Sequence, residues 1–133
     1  MDDALCRVIV ACDSPGVRSS IGDLLHKAGL APVVLDSSRD LLQIGALTQP
    51  AVLDTGEDIS ALCQVVYDIY DANPTQYTPP LVAVVNRDTL DRNPSLGRWM
   101  ICGHAALAAL VHDEREWERI PRLVRRLVAA EQE

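Results

Sequence analysis

The sequence contains no phenylalanine, and aromatic residues make up only 4% of its 133 residues. Its core must therefore be built from Val, Leu, Ile and Ala, which suits buried strands of a parallel sheet covered by helices on both faces. No apolar stretch approaches the roughly 18 residues that a membrane-spanning helix needs. The opening Met-Asp-Asp lacks the basic segment of a signal peptide, so we expect a cytoplasmic protein with no membrane partner.

Paired cysteine motifs and an excess of cations are also missing. The 4 cysteines lie far apart, without CxxC or a zinc-type spacing with histidine, which is typical of reduced thiols in the cytoplasm. The chain has 12 Lys and Arg against 19 Asp and Glu, for a formal net charge of −7. Because such a surface repels phosphate backbones, we expect no direct binding to nucleic acid. No GxSxG, P-loop, GxGxxG or HExxH pattern occurs, so the sequence does not predict an enzyme.

The sequence does contain short apolar runs that alternate with helical patterns along the whole chain. Strands are predicted at residues 7–12, 32–36, 51–54, 81–85 and 105–111. One helical pattern ends at Gly29, and others cover 37–47, 59–70 and 114–130. The stretch from residue 88 is less regular and predicts a loop followed by a helix that ends at Gly103. Pro121 should start or bend the last helix. This alternation predicts one α/β domain over residues 1–133, with a doubly wound parallel sheet.

Functional sites of such sheets gather at the carboxyl ends of the strands. Asp13 and Asp54 follow or end two different predicted strands, and their carboxylates could converge on one Mg²⁺ ion. Spacing alone leaves an alternative in which Asp13 caps the first helix and Asp54 is a turn residue.

Residues 7–18 read Arg-Val-Ile-Val-Ala-Cys-Asp-Ser-Pro-Gly-Val-Arg, a basic residue and an apolar run followed by a polar pair and Pro-x-x-Arg. This segment resembles the opening of the receiver domain of bacterial response regulators. Segments 50–54, 80–85 and 102–107 follow in the same order and are similar to later parts of that family. The resemblance implies a flavodoxin-like, five-stranded parallel sheet of order 2-1-3-4-5. It also implies a role in two-component, phosphorelay signal transduction.

The chain departs from the receiver pattern where Mg²⁺ and phosphate bind. The acidic pair of receivers reads Cys12-Asp13 here, so a thiol replaces one hard oxygen ligand. The phosphoacceptor position falls on Asp54 only if the third strand is shortened by two residues, and otherwise falls on Gly56.

Two further positions that assist the phosphoryl group in receivers are changed. The hydroxyl residue that ends the fourth strand aligns with Val85, or with Asn86 after a one-residue slip. The Lys that ends the fifth strand aligns with residue 110, or with His112 after a two-residue slip. Since Val donates no hydrogen bond and a neutral His lacks the fixed charge of Lys, we expect a pseudo-receiver with no cofactor and weak Mg²⁺ binding at best.

We therefore expect a domain that regulates a protein partner or a downstream output domain through protein–protein contact. One alternative is a functional phosphoacceptor that uses Asp54 and Mg²⁺. Another is an N-terminal localisation module of the kind fused to ATPases of pilus-assembly or septum-site systems.

In the receiver family the last strand and its neighbouring helices usually mediate dimerisation or output contacts. Here that region includes Trp99 and Trp117, which we predict as anchors of a partner or homodimer surface. Trp117 lies at helical spacing with Ile120 and Val124, so it could instead pack against the sheet. The arginines of the last helix predict a solvated face rather than a docking surface.

Overall fold

The computed structural model describes residues 7–44, 49–56, 58–72, 81–85, 87–93, 108–111 and 114–132. Five strands form one parallel sheet: β1 (Arg7–Cys12), β2 (Ala31–Leu35), β3 (Ala51–Asp54), β4 (Leu81–Val84) and β5 (Ala108–Val111). The helices are α1 (Pro15–Lys27), α2 (Ile59–Ala72), α3 (Arg87–Arg92) and α4 (Ile120–Gln132), with 3₁₀ helices η1 (Ser38–Ile44) and η2 (Glu114–Arg119). The strand order is β2-β1-β3-β4-β5, which confirms the predicted order.

The central strands carry apolar side chains on both faces, as the aromatic-poor composition predicted. Along β1, Val8 and Val10 pack on one face of the sheet, whereas Ile9 and Ala11 pack on the other. This alternation follows from the two-residue period of a strand. A sheet apolar on both faces is buried only if helices cover both sides.

Two core clusters result, one on each face of the sheet. The first lies under η1 and α2 and includes Leu41, Leu53, Leu62, Val65 and Val66. The second lies under α1 and α4 and includes Val52, Ile21, Leu25, Ile120 and Val124.

Helix α1 ends in a motif that the sequence indicated by its glycine. Gly29 adopts φ of +84°, a conformation that other residues rarely adopt. Its N–H donates to the carbonyl of His26 at 3.0 Å, and the N–H of Leu30 donates to the carbonyl of Leu25 at 3.0 Å. This pair of hydrogen bonds is the Schellman arrangement, which turns the chain directly into β2.

The structure differs from the sequence prediction mainly at element boundaries. Strand β2 begins and ends one residue earlier than predicted, and the segment predicted as a helix over 37–47 is the 3₁₀ helix η1. The predicted last helix is divided into η2 and α4, with Pro121 in the first turn of α4, as expected for a residue that cannot continue a preceding helix. Residues 94–107, which include predicted elements, lie outside the described residues. Within the described ranges, no helix is both long and apolar enough to cross a membrane.

The packing between α1 and the sheet gives a direct stability test. Leu25 is fully buried, so Leu25→Ala should lower the free energy of unfolding by about 2–5 kcal/mol, because it removes apolar contacts and leaves a cavity. Val34→Ala is the control, since Val34 is 49% exposed on edge strand β2 and should cost less than about 1 kcal/mol. Urea denaturation measures both. Equal losses in the two variants would contradict the described core.

Candidate functional site at the carboxyl edge of the sheet

The parallel register of β1 and β3 brings the two predicted aspartates to one edge. Cys12 lies opposite Asp54 in the register, and the N–H of Asp13 donates to the backbone carbonyl of Asp54 at 2.9 Å. Asp54 is the last residue of β3, and Gly56 lies beyond the strand. The backbone places Asp13 and Asp54 side by side, as the sequence predicted.

The Asp13 carboxylate, however, is bound to Ser38, which lies after β2. Its Oδ1 accepts a hydrogen bond from the N–H of Ser38 at 2.7 Å, and its Oδ2 accepts one from the Ser38 hydroxyl at 3.1 Å. Ser38 is buried and begins η1. Asp13 therefore caps η1 across the sheet edge. The alternative in which it caps α1 is wrong, because the N-cap position of α1 is Ser14, which makes no side-chain cap bond.

Asp54 is a buried turn carboxylate, which agrees with the turn alternative for this residue. It is 5% exposed, and its Oδ1 accepts a hydrogen bond from the N–H of Gly56 at 2.9 Å. Gly56 has φ of +68°, so the two residues form an Asx turn with glycine in the left-handed region. The second oxygen, Oδ2, is buried without a hydrogen-bond partner among the described residues.

Burial raises the pKa of Asp54 above its usual value, and the nearby amides of Gly56 and Ser14 only partly offset this effect. The negative charge of Asp13 adds a smaller increase in the pKa of Asp54. Because burial penalises the ionised form, the folded protein holds the Asp54 proton more tightly than the unfolded chain does.

Cys12 belongs to the core and not to an open ligand site. It is 0% exposed and packs with Val10, Ile21 and Val52 in the cluster under α1 and α4. Burial and the neighbouring charge of Asp54 raise the pKa of the Cys12 thiol to about 12. A thiol is moreover a soft ligand, whereas Mg²⁺ binds hard oxygen ligands.

These residues do not fit the Mg²⁺ ion that receiver domains hold. Mg²⁺ requires an octahedral shell of oxygen ligands, whereas the acidic-pair position offers a neutral thiol and a carboxylate already bound to Ser38. The described part of the chain contains no group of three or more His, Cys, Asp and Glu side chains that could hold a metal. The metal role predicted for Asp13 and Asp54 and the expected weak binding of Mg²⁺ stay predictions.

Arg18 has a structural role at this edge that the sequence analysis did not identify. Its guanidinium donates to the carbonyl of Cys12 from Nε at 3.2 Å and from Nη2 at 3.1 Å, and Nη2 also donates to the carbonyl of Asp36. Arg18 thereby connects the ends of β1 and β2. The sequence signal for this role of Arg18 is the Pro-x-x-Arg spacing. It places residue 18 one helical turn into α1, close to the end of β1.

The remaining predicted site residues are described only in part. Val85 follows β4, is 2% exposed and packs in the cluster under η1 and α2, so it presents no hydroxyl or other donor to the edge. Trp117 is half-buried and packs against the cluster under α1 and α4, which agrees with the alternative in which it supports the sheet. Asn86, Trp99 and His112 lie outside the described residues.

Comparison with known proteins identifies the fold. The chain matches no family model and no curated protein by sequence. A structure of a transiently phosphorylated "switch" in bacterial signal transduction superimposes with a TM-score of 0.71 and 16% identity, over 96% of this chain and 98% of the other. A response regulator receiver protein from Sinorhizobium medicae gives a TM-score of 0.66 and 16% identity, over 98% and 99% of the two chains. This chain therefore has the fold of response regulator receiver domains.

A third similar structure belongs to a family of redox sensors in the streptococci, described as evolved from two-component response regulators. It superimposes with a TM-score of 0.66 and 10% identity, over 96% of this chain but only 54% of the longer redox sensor. At such identities the likeness establishes the fold alone.

The Asp13–Ser38 contact predicts a measurable cost on substitution. Asp13→Ala should lower the free energy of unfolding by about 1–3 kcal/mol, because it removes two hydrogen bonds and leaves the buried Ser38 unsatisfied. Asp36→Ala is the matched control, since that exposed carboxylate follows β2 and makes no described side-chain hydrogen bond. Chemical denaturation compares the two, and equal stabilities would show that Asp13 does not hold η1.

The raised pKa of Asp54 predicts a pH-dependent stability. The ordinary pKa of an Asp carboxyl is 3.8, and the pKa of Asp54 in the folded protein is higher. As pH rises through these two pKa values, the unfolded chain loses the Asp54 proton first. Ionisation of Asp54 therefore increasingly lowers the free energy of unfolding. Asp54→Asn should therefore raise the melting temperature at pH 7, and this gain should shrink below the unfolded pKa. Thermal melts across this range test it, with Asp58→Asn as the exposed control. A lower melting temperature for Asp54→Asn at pH 7 would contradict the prediction.

Proposed function

We propose that this chain is a receiver-type signalling domain that acts through contact with a protein partner or an output domain, without conventional aspartyl phosphorylation. The observation that supports the proposal is what Cys12 and Asp13, the residues at the position of the receiver acidic pair, do in the structure. Cys12 is a buried, protonated core residue, and the Asp13 carboxylate is bound to Ser38. The fold of a receiver is retained while the ligands that make it a phosphoacceptor are used for packing and capping.

Phosphoryl transfer depends on positioned cations and donors that stabilise charge on the transferred group. At this edge Arg18 is committed to two backbone carbonyls, and Val85 is buried in the core. Among the described residues at this edge, Cys12 offers a soft thiol and Val85 offers no hydroxyl, and neither supports phosphorylation of Asp54. We infer that the domain is not an enzyme and carries no resident cofactor.

A receiver-like domain without this chemistry would signal by presenting a surface. We propose that the region from residue 90 to residue 127, which includes β5 and the first part of α4, contributes to a partner or homodimer contact, with Trp99 as the anchor. The streptococcal redox sensors support the broader idea, since their description places a different signalling role on a chain derived from response regulators.

One observation favours the second candidate, a functional phosphoacceptor. The buried Oδ2 of Asp54 lacks a described hydrogen-bond partner, and Asp54 stands at the strand end where receivers are phosphorylated. The thiol beside it weighs against this candidate, because Cys12 lies opposite Asp54 and a soft thiol is a poor ligand for the Mg²⁺ ion that supports phosphoryl transfer.

Intact-mass spectrometry after exposure to acetyl phosphate, phosphoramidate or beryllofluoride with Mg²⁺ separates the two candidates. We expect little modification, because Cys12 offers a soft thiol and the Asp13 carboxylate is bound to Ser38. The control is Asp54→Ala, which should show the same low level of modification as the unaltered chain. Stoichiometric modification that disappears in Asp54→Ala would establish the phosphoacceptor and overturn the proposal.

A further inference from the structure

A groove between two helices lies away from the carboxyl edge and is not used by the site described above. It has a volume of about 370 Å³ and is bordered by the C-terminal part of α1 and the start of α4. Because α1 runs back from the carboxyl edge to the start of β2, its C-terminal end lies toward the opposite edge of the sheet. A ligand in this groove would therefore not contact Asp13 or Asp54.

The walls of the groove combine apolar and cationic side chains. Leu24 and Ala28 of α1 and Pro121 of α4 supply the apolar part. Three cations, contributed by Lys27, Arg122 and Arg125, and one carboxylate, contributed by Glu118, complete the lining. This local excess of positive charge occurs in a chain whose formal net charge is −7.

One of these three cations makes a structural contact, and the other two have no described structural role. Arg125 donates to the carbonyl of Ala28 at the end of α1, where a cation also complements the helix dipole. Lys27 and Arg122 are exposed and make no hydrogen bond or ion pair with any described residue. Their positive charge is available to a ligand.

We propose that this groove binds an acidic, partly apolar peptide segment of a protein partner. Carboxylates of the segment would pair with Arg122 and Lys27, since guanidinium groups bind carboxylates in a bidentate geometry. Its apolar side chains would cover Leu24 and Pro121. The proposal rests on the proposed function only in that both require protein contact, and the phosphodonor experiment does not bear on it.

Charge and size favour a peptide over larger anions. A long nucleic acid or an anionic vesicle experiences the net negative charge of the whole domain. A short segment in the groove is governed by charges within about 10 Å, the Debye length near 0.1 M salt. A free inorganic anion would leave the apolar walls uncovered, whereas a volume of this size holds a few side chains.

Amide chemical-shift mapping with a probe peptide tests the proposal on the full chain. The probe is a repeated Glu-Glu-Leu peptide, compared with a Gln-Gln-Leu peptide of equal length. We expect saturable shifts at Leu24, Lys27 and Arg122 with the acidic probe, with affinity that falls as salt is raised. The neutral peptide should bind at least about tenfold more weakly, since it lacks the charged hydrogen bonds.

The matched variants are Arg122→Glu and Arg39→Glu, which change the net charge equally. Arg39 is exposed on η1, over the other face of the sheet. Arg122→Glu should weaken binding of the acidic probe at least about tenfold. Arg39→Glu should leave binding of the probe nearly unchanged, and both variants should retain the native circular dichroism spectrum.

Three results would overturn the proposal: equal binding of the probe by the two variants, equal binding of the neutral peptide, or shifts spread over the whole surface. Tighter binding to anionic vesicles or RNA at the same groove would overturn the choice of a protein partner.

Discussion

The parallel pairing of β1 with β3 is the constraint on which the candidate site depends. It places Cys12 opposite Asp54 and joins Asp13 to the same strand end by a backbone hydrogen bond. In a sheet covered on both faces, the side chain at position 12 must enter one of the two cores. A carboxylate there would need a metal or donors to offset its burial, whereas a thiol packs as a small apolar group. Cys12 therefore completes the cluster under α1 and α4.

The rest of the edge is consistent with that change. Asp13 accepts both hydrogen bonds of Ser38. Arg18 joins the ends of β1 and β2 through backbone carbonyls. Hydrogen bonds within the chain thus connect the ends of β1 and β2 and the start of η1.

The alternation of strands and helices, the two core faces and the end of α1 could be predicted from sequence because each follows from a local pattern, whereas the strand order was implied by the resemblance to receiver domains. Apolar runs define the strands, helical spacing defines Ile21 and Leu25 as buried, and Gly29 marks the turn into β2. The partnership of Asp13 with Ser38 could not be predicted in this way. The two residues are 25 positions apart, and only the packing of η1 against the sheet edge brings them together. For the same reason the groove between α1 and α4 could not be predicted, because its two walls are far apart in sequence.

The central claim is that the carboxyl edge is held by internal contacts and not by a metal ion. A titration of Mg²⁺ followed by the amide resonances of Asp13, Ser38 and Gly56 tests it most directly, because these amides surround both carboxylates. The account predicts small shifts that rise linearly with concentration and no saturation, as for ions in the surrounding solvent. Saturating shifts at these amides, lost together in Asp13→Ala and Asp54→Ala, would show a specific metal site and contradict the account.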